Sequence, residues 1–301
     1  MKMQRRRFFK GALSFGVAFM TLFTPSISLG WGAGGHMMVA SIAFGRLNPR
    51  AKVQVAALLA RPITPLEVTN KSNDFVNAAH WADDLRPFPE FDSLKELHFI
   101  DQPFSVDGTP PPKLPTPNIV DALKENVEIL RSNKDDDAKA KALRLIIHFV
   151  GDIHQPLHCA TRVDKAHPEG DRGGNLVSLS ITTGAGFKKT NLHSYWDGGL
   201  GTFPASGPNF SPPSLKSIPA AAARSRIGNP ATDSALKLDR PMDFQAWADE
   251  SFELAKDVVY NGITNEGKPS SAYTVKGVSL ARKRVAWAGY RLAALLNSIW
   301  P

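Results

Sequence analysis

Cysteine is almost missing from this sequence: Cys159 is the single one in 301 residues, so no intramolecular disulfide can form. Long apolar runs are missing as well. The nearest approach, Gly11 to Phe23, is too short and too lightly hydrophobic to span a bilayer comfortably. A strong charge of one sign is missing once the first 30 residues are set aside. These hold Lys2, Arg5, Arg6, Arg7 and Lys10 and no acid, which leaves 31 bases against 28 acids and a net charge near +3. A field that weak does not suit a protein holding duplex DNA by its phosphates. There is no internal repeat at solenoid periods and no composition break that reads as a linker. What remains is a 43% hydrophobic chain with ample material for one large core.

The N-terminal basicity is an address. Gln4 to Lys10 resembles the twin-arginine export consensus and is followed by the short apolar run. Ser28 and Gly30 put small residues at −3 and −1 of a cleavage site, which would make Trp31 the mature N-terminus. Residues 1–30 are therefore expected to be a cleaved export signal, with a periplasmic or secreted product. The alternative is an uncleaved N-terminal anchor. An exported chain without disulfides must rely on its core, on metal, or on both. No stable membrane association is expected, and the protein is expected to be a monomer.

Hydrophobic periodicity and turn residues predict helices over 37–47, 50–60, 72–85, 119–132, 137–155, 242–260 and 277–299. Residues 102–118 and 204–221 are proline-rich and read as long loops. Leu176 to Thr182 alternates apolar and polar, as in one strand of a hairpin ending near Lys188. Asp135, Asp136 and Asp137 read as the acidic start of a helix rather than as a calcium site. The fold class expected is mainly α, a single multi-helix domain over residues 31–301 with a small β-hairpin.

Chemistry concentrates in residues 142–160. Leu143, Ile146, Ile147 and Val150 recur at helical spacing, and Pro156 ends the run. His148 and Asp152 lie four apart on that helix, so both leave one face. His158 follows two residues after the proline, where the turned chain can aim it back. Imidazole and carboxylate at this spacing grip a borderline-soft ion such as zinc. The competing reading is a satisfied core histidine with Asp152 as a cap. Cys159 reads as a small buried side chain, not a ligand. Ligand-type residues recur at Trp31 to His36, at His80 to Asp83, at His98 to Asp101 and at His193 to Asp197, the last repeating the His-x-x-x-Asp pair. Two such pairs are harder to dismiss than one, but spacing alone does not group them.

These residues, in this order, resemble the S-one/P-one family of zinc-dependent single-strand nucleases, related in fold to bacterial zinc phospholipases C. The matching pieces are Trp31 with Gly35 and His36; Trp81, Ala82, Asp83 and Arg86; and His98 to Asp101. His148, Phe149, Gly151, Asp152 and Gln155 to His158 follow, with Gly173 to Asn175, Asn191 to His193, Trp196 and Asp197, and Gly289 to Ala293. The resemblance implies a phospholipase C/nuclease-like bundle with three zinc ions. Asp83, His98, His148 and Asp152 would hold one ion, and His158, His193 and Asp197 another. Trp31, through its free amine and carbonyl, would hold the third with His36, and Asp152 would be shared. It implies endonuclease and 3′-nucleotidase action on single-stranded DNA, RNA and nucleotides, leaving 5′-phosphates. A water shared by the two zincs joined through Asp152 would serve as hydroxide, with Asp83 and Asp152 counted as catalytic, and Arg86 would steady the transition state. Phe99 would stack on a base, Asp101 would hydrogen-bond its edge, and Asn175 would orient the ligand loop or touch substrate. Arg86 read blandly is a surface salt bridge, and Phe99 a packing residue. This sequence lacks the disulfides of fungal and plant members, and its loops at 102–118 and 204–221 match no family signature. Two rival readings stay open: a zinc phospholipase C with the same cluster, and a non-catalytic zinc-binding protein.

Overall fold

The computed structural model describes residues 30–184, 186–207 and 211–301. The expected export signal lies, except for Gly30, outside them. The elements in order are α1 (Ala33–Phe44), α2 (Pro49–Leu59), α3 (Leu66–Thr69), a 3₁₀ turn (Asn77–His80), α4 (Trp81–Asp84) and a 3₁₀ segment (Pro89–His98). Then come β1 (Gln102–Ser105), α5 (Ile119–Arg131), α6 (Asp136–Asp152), a 3₁₀ turn (Pro156–His158), β2 (Ala160–Val163), β3 (Ser178–Thr183) and β4 (Gly186–Asn191). The chain closes with α7 (Leu192–Asp197), α8 (Ile218–Arg226), α9 (Phe244–Leu254), a π turn (Ala255–Val259) and α10 (Ser271–Ile299). The architecture is mainly α, as expected, and among the described residues no helix is long and apolar enough to cross a membrane.

Helix α6 is the axis. Asp135 caps it by accepting from the Ala138 N–H at 2.8 Å. From Ala142 to Asp152 every side is buried, the signature of a helix enclosed by others. Helices α5, α2, α10 and α1 pack around it. Asn118 starts α5 with a capping box, its side-chain oxygen accepting from the Val120 N–H and its backbone N–H donating to the Asp121 carboxylate. The C-terminal end of α6 is clamped from two sides. Ser251 of α9 donates its hydroxyl to the Ile153 carbonyl at 2.6 Å, and Arg284 of α10 donates to the His154 carbonyl at 3.1 Å. These bonds satisfy carbonyls that a helix end would otherwise strand in the core.

Several expectations need correction. Residues 72–85 do not form one helix, because the Asp74 carboxylate accepts from the Val76 and Asn77 N–H groups, each at 3.0 Å, and diverts the chain into short turns. The loop expected at 102–118 opens with β1, which pairs in parallel with β2 from Gln102↔Ala160 to Ser105↔Val163. Pro103 concealed it, and a two-stranded ladder tolerates that proline because both strands are edges. The loop expected at 204–221 gives way to α8 at Ile218, and α9 yields to the π turn before residue 260. The hairpin β3–β4 is antiparallel and runs to Asn191, beyond the end expected near Lys188.

Candidate metal centre

The site begins on α6. His148 Nδ1 lies 2.7 Å from the Ala79 carbonyl and donates to it, which turns Nε2 inward. That Nε2 is 3.0 Å from Asp152 Oδ2, one helical turn away. The chain around 77–84 supplies both Ala79 and Asp83, whose Oδ1 lies 3.7 Å from His148 Nε2 and 3.9 Å from His98 Nδ1. His98 ends the 3₁₀ segment and places Nδ1 2.9 Å from Asp152 Oδ2. On the other side α1 delivers His36, which stacks on His148 at 4.0 Å and sets Nε2 3.2 Å from Asp152 Oδ1. The two oxygens of Asp152 are thus divided: Oδ2 faces His98 and His148, and Oδ1 faces His36.

A second group forms where the Pro156–His158 turn meets α7. His158 donates Nδ1–H to the His98 carbonyl at 2.7 Å, and His193 donates Nδ1–H to the Gly173 carbonyl at 2.7 Å. Both Nε2 atoms are left facing inward, and with Asp197 they lie within 4.8 Å of one another. Gln155 donates to Asp197 Oδ1 at 2.8 Å, while its own oxygen accepts from the Leu157 N–H at 2.7 Å. Hydrogen-bond partners therefore orient each ligand-type side chain of this group from behind.

Burial turns these groups into ligands. His36, His148, Asp152, His158 and His193 are all at most 5% exposed. Yet His36 Nε2, Asp152 Oδ1, His158 Nε2 and His193 Nε2 are buried and make no hydrogen bond among the described residues. Buried polar atoms are normally satisfied. A divalent cation satisfies this set, so the residues fit a metal. Burial, with the neighbouring His148 charge, lowers His36 to about 4. Burial, with the His158 charge, lowers His193 to about 3. Both rings are therefore neutral at pH 7, the form that binds metal. Burial also acts on His148, but the Asp152 and Asp83 carboxylates outweigh it and hold the ring up at about 9.

The other expected residues surround this centre. Arg86 Nη2 lies 3.1 Å from Asp83 Oδ1, so the salt bridge is real but ties Arg86 to a ligand-type carboxylate. Phe99 is half-buried and outside the buried core. Asp101 has φ of 45°, and burial, with the negative charges of Asp171 and Glu96, pushes its carboxyl up to about 8. Asn175 Nδ2 lies 3.1 Å from His193 Nδ1. The Trp31 ring packs on Phe203 with centroids 5.5 Å apart, and the Gly32 N–H donates to the Asp197 carbonyl at 3.0 Å. Cys159 is buried, its thiol donates to the Ile153 carbonyl, and among the described residues it joins none of the metal-type groups. Sequence reasoning missed the roles of Gln155 and the carbonyls of Ala79, His98 and Gly173. Gln155 at least stood inside the motif that carries His148 and His158.

Fold and site together define a metal-binding protein of mainly α architecture. Its sequence matches the family described as S1/P1 Nuclease over residues 31–301, and the chain belongs to that family. Endonuclease 4 of Arabidopsis thaliana is 25% identical over 290 residues, covering 91% of this chain and 90% of its own. Nuclease S1 of Aspergillus oryzae is 25% identical over 303 residues, covering 94% and 96%. Nuclease P1 of Penicillium citrinum is 29% identical over 177 residues, covering 56% and 57%. The protein is accordingly an enzyme, a phosphodiester hydrolase of the nuclease class.

Proposed function

We propose that this enzyme is an exported zinc endonuclease and 3′-nucleotidase that cuts single-stranded DNA and RNA to 5′-phosphate products. The observation that carries the reading is the divided Asp152 carboxylate, with His98 and His148 on one oxygen and His36 on the other. Asp83, His98, His148 and Asp152 would hold one zinc; His158, His193 and Asp197 a second; Trp31, His36 and Asp152 a third. When bound, zinc neutralises charge on a phosphate and makes water a nucleophile at neutral pH. The protein's own part is to hold and orient. Arg86 presents a guanidinium fork, partly engaged by Asp83, that suits a phosphoryl group gaining charge. Phe99 offers a half-open ring for an unpaired base, whose faces a duplex would hide. Asp101, with a carboxyl raised to about 8, is protonated at pH 7 and both donates to and accepts from a base edge. Asn175 donates its amide to the Arg172 carbonyl at 2.8 Å and so steadies the loop beside His193.

Processing after Gly30 belongs to this reading. A Cβ on Gly30 would fall 1.7 Å from Asp152 Oδ1 and 3.0 Å from His36 Nε2, so the residue preceding Trp31 sits against the Asp152–His36 pair. Cleavage there clears that space and turns the Trp31 amide into a basic amine. Export and activation would then be one event.

The test is to purify the exported protein, sequence its N-terminus, count zinc per chain, and compare rates on single-stranded DNA and phosphatidylcholine. A Trp31 start, three zincs and chelator-sensitive DNA cleavage leaving 5′-phosphates are expected. Three zincs with turnover of phosphatidylcholine alone would make the enzyme a phospholipase C, and zinc without turnover of either substrate a binding protein. One zinc or none would overturn the ligand grouping.

A further inference from the structure

The carbonyl that fixes His193 belongs to a loop that does not support itself. Between Gly170 and Gly174 four residues adopt positive φ: Gly170 at 92°, Arg172 at 55°, Gly173 at 60° and Gly174 at 78°. The loop also passes so close to the Pro156–His158 turn that a Cβ on Gly173 would lie 2.3 Å from the Leu157 carbonyl oxygen and 3.1 Å from His193 Nδ1. Non-glycine residues resist such conformations, and a run of them persists only where surrounding contacts over-determine it.

Asp171 supplies those contacts. It is fully buried, and its Oδ1 accepts from the Gly174 N–H at 3.0 Å, the Arg162 N–H of β2 at 3.0 Å and the Tyr260 hydroxyl at 2.8 Å. The first closes the loop around Gly173, and the second pins it to β2. The third ties it to the far end of the chain. Tyr260 follows the π turn at once, and its N–H closes the wide turn by donating to the Ala255 carbonyl at 2.9 Å. Such turns re-aim a side chain that a continuous α-helix would send elsewhere. The ring is then fixed edge-on against Phe104 of β1, 5.2 Å away, with the Arg162 guanidinium 5.1 Å above it. A phenol buried this well could have been placed without its hydroxyl. Here the hydroxyl meets the one carboxylate that organises the loop.

We infer that Asp171 and Tyr260 are positioning residues for the metal held by His158, His193 and Asp197. Through the Gly173 carbonyl they set the tautomer and aim of His193, so the affinity of that one subsite depends on a hydroxyl contributed from beyond α9. The inference rests on the zinc reading above. Outer hydrogen-bond partners of this kind change metal affinity by about 10- to 100-fold.

The test is a competitive chelator titration of zinc on the mature protein, comparing wild type with Tyr260→Phe. The substitution keeps the ring against Phe104 and removes only the hydroxyl. One of the three zinc equivalents is expected to weaken by about 10- to 100-fold while the other two hold. Activity lost at limiting zinc should return when zinc is added. Asp171→Asn, which keeps an oxygen for the three donors, should stay closer to wild type than Asp171→Ala. If Tyr260→Phe fails to fold, this Asn-to-Ala ordering decides the matter. Three unchanged affinities with a lowered melting temperature would make the pair a structural contact and overturn the inference alone. Weakening of all three equivalents would overturn it too. A wild-type protein that takes up no zinc would overturn the proposed function and this inference together.

Discussion

Arg86 keeps 22% of its side chain exposed while one guanidinium nitrogen holds Asp83 at 3.1 Å. The guanidinium thus stands beside a ligand-type carboxylate, and a lysine could not reproduce its planar fork. Arg86→Lys should lower kcat about 10²- to 10³-fold, the usual effect of losing one aimed donor. Zinc per chain should stay unchanged, and falling zinc would instead make Arg86 a support for Asp83. Asp101 makes a pH prediction. Its carboxyl is raised in the folded protein from the ordinary 3.8 to about 8, chiefly by burial. The folded state therefore binds a proton that the unfolded state has released, and the contribution to stability is lost as pH rises from about 4 to about 8. Asp101→Asn removes this dependence, so the variant's melting temperature should gain on wild type across that window and level off above it. A difference flat in pH would mean the carboxyl titrates normally. The side chains proposed as ligands were legible in the sequence because imidazole and carboxylate carry their chemistry in their identity. The carbonyls of Ala79, His98 and Gly173 were not, since every residue has one and only the fold selects which is used.

At the scale of elements, the crossing of α1 and α10 decides where His36 stands. A Cβ on Gly289 would fall 2.6 Å from Ile42 Cβ and 2.9 Å from the Val39 carbonyl oxygen, so the two helices touch backbone to side chain there. Gly289→Ala would gain roughly 0.5–1 kcal/mol of helix preference. It must also push α1 outward, and overpacking of this kind costs about 1–3 kcal/mol. Net destabilisation in urea is expected, together with weaker zinc binding at the subsite that uses His36. A stabilised variant would show that the crossing has room. The long helices α2, α5, α6 and α10 could be read from their periodicity and caps, because each starts on a side-chain cap and buries a broad apolar face. The turns at 77–84, which deliver Asp83 and the Ala79 carbonyl, could not. Their shape comes from the Asp74 carboxylate competing for backbone N–H groups, a local contest that apolar spacing does not record. Strand β1 was hidden for a related reason. It is four residues long, contains Pro103, and exists because β2 lies beside it.

For the molecule as a whole, the centre is a joint between segments that have little other reason to meet. His36 comes from α1, Asp83 from α4, His98 from a 3₁₀ segment, His148 and Asp152 from α6, and His193 and Asp197 from α7. All are at most 9% exposed, and the inward-facing atoms His36 Nε2, Asp152 Oδ1, His158 Nε2 and His193 Nε2 make no hydrogen bond among the described residues. A chain with a single cysteine has no disulfide to fasten these segments. Without cations, burying carboxylates and imidazoles unpartnered is unfavourable, so metal binding and folding should be strongly linked. At free zinc about a thousandfold above its dissociation constant, one site adds about 4 kcal/mol. In a chain of this size each kcal/mol moves the melting temperature by roughly 2–4 °C. Chelation should therefore lower the melting temperature by about 10 °C or more, and added zinc should restore both it and nuclease activity. Asp152→Asn should behave like the chelated protein even in excess zinc, because the carboxylate common to two of the proposed sites is gone. A melting temperature indifferent to chelator, with activity abolished, would mean that the segments are held by packing alone and that the ions serve chemistry only. Loss of both together would show that the centre fastens the fold as well as equipping it.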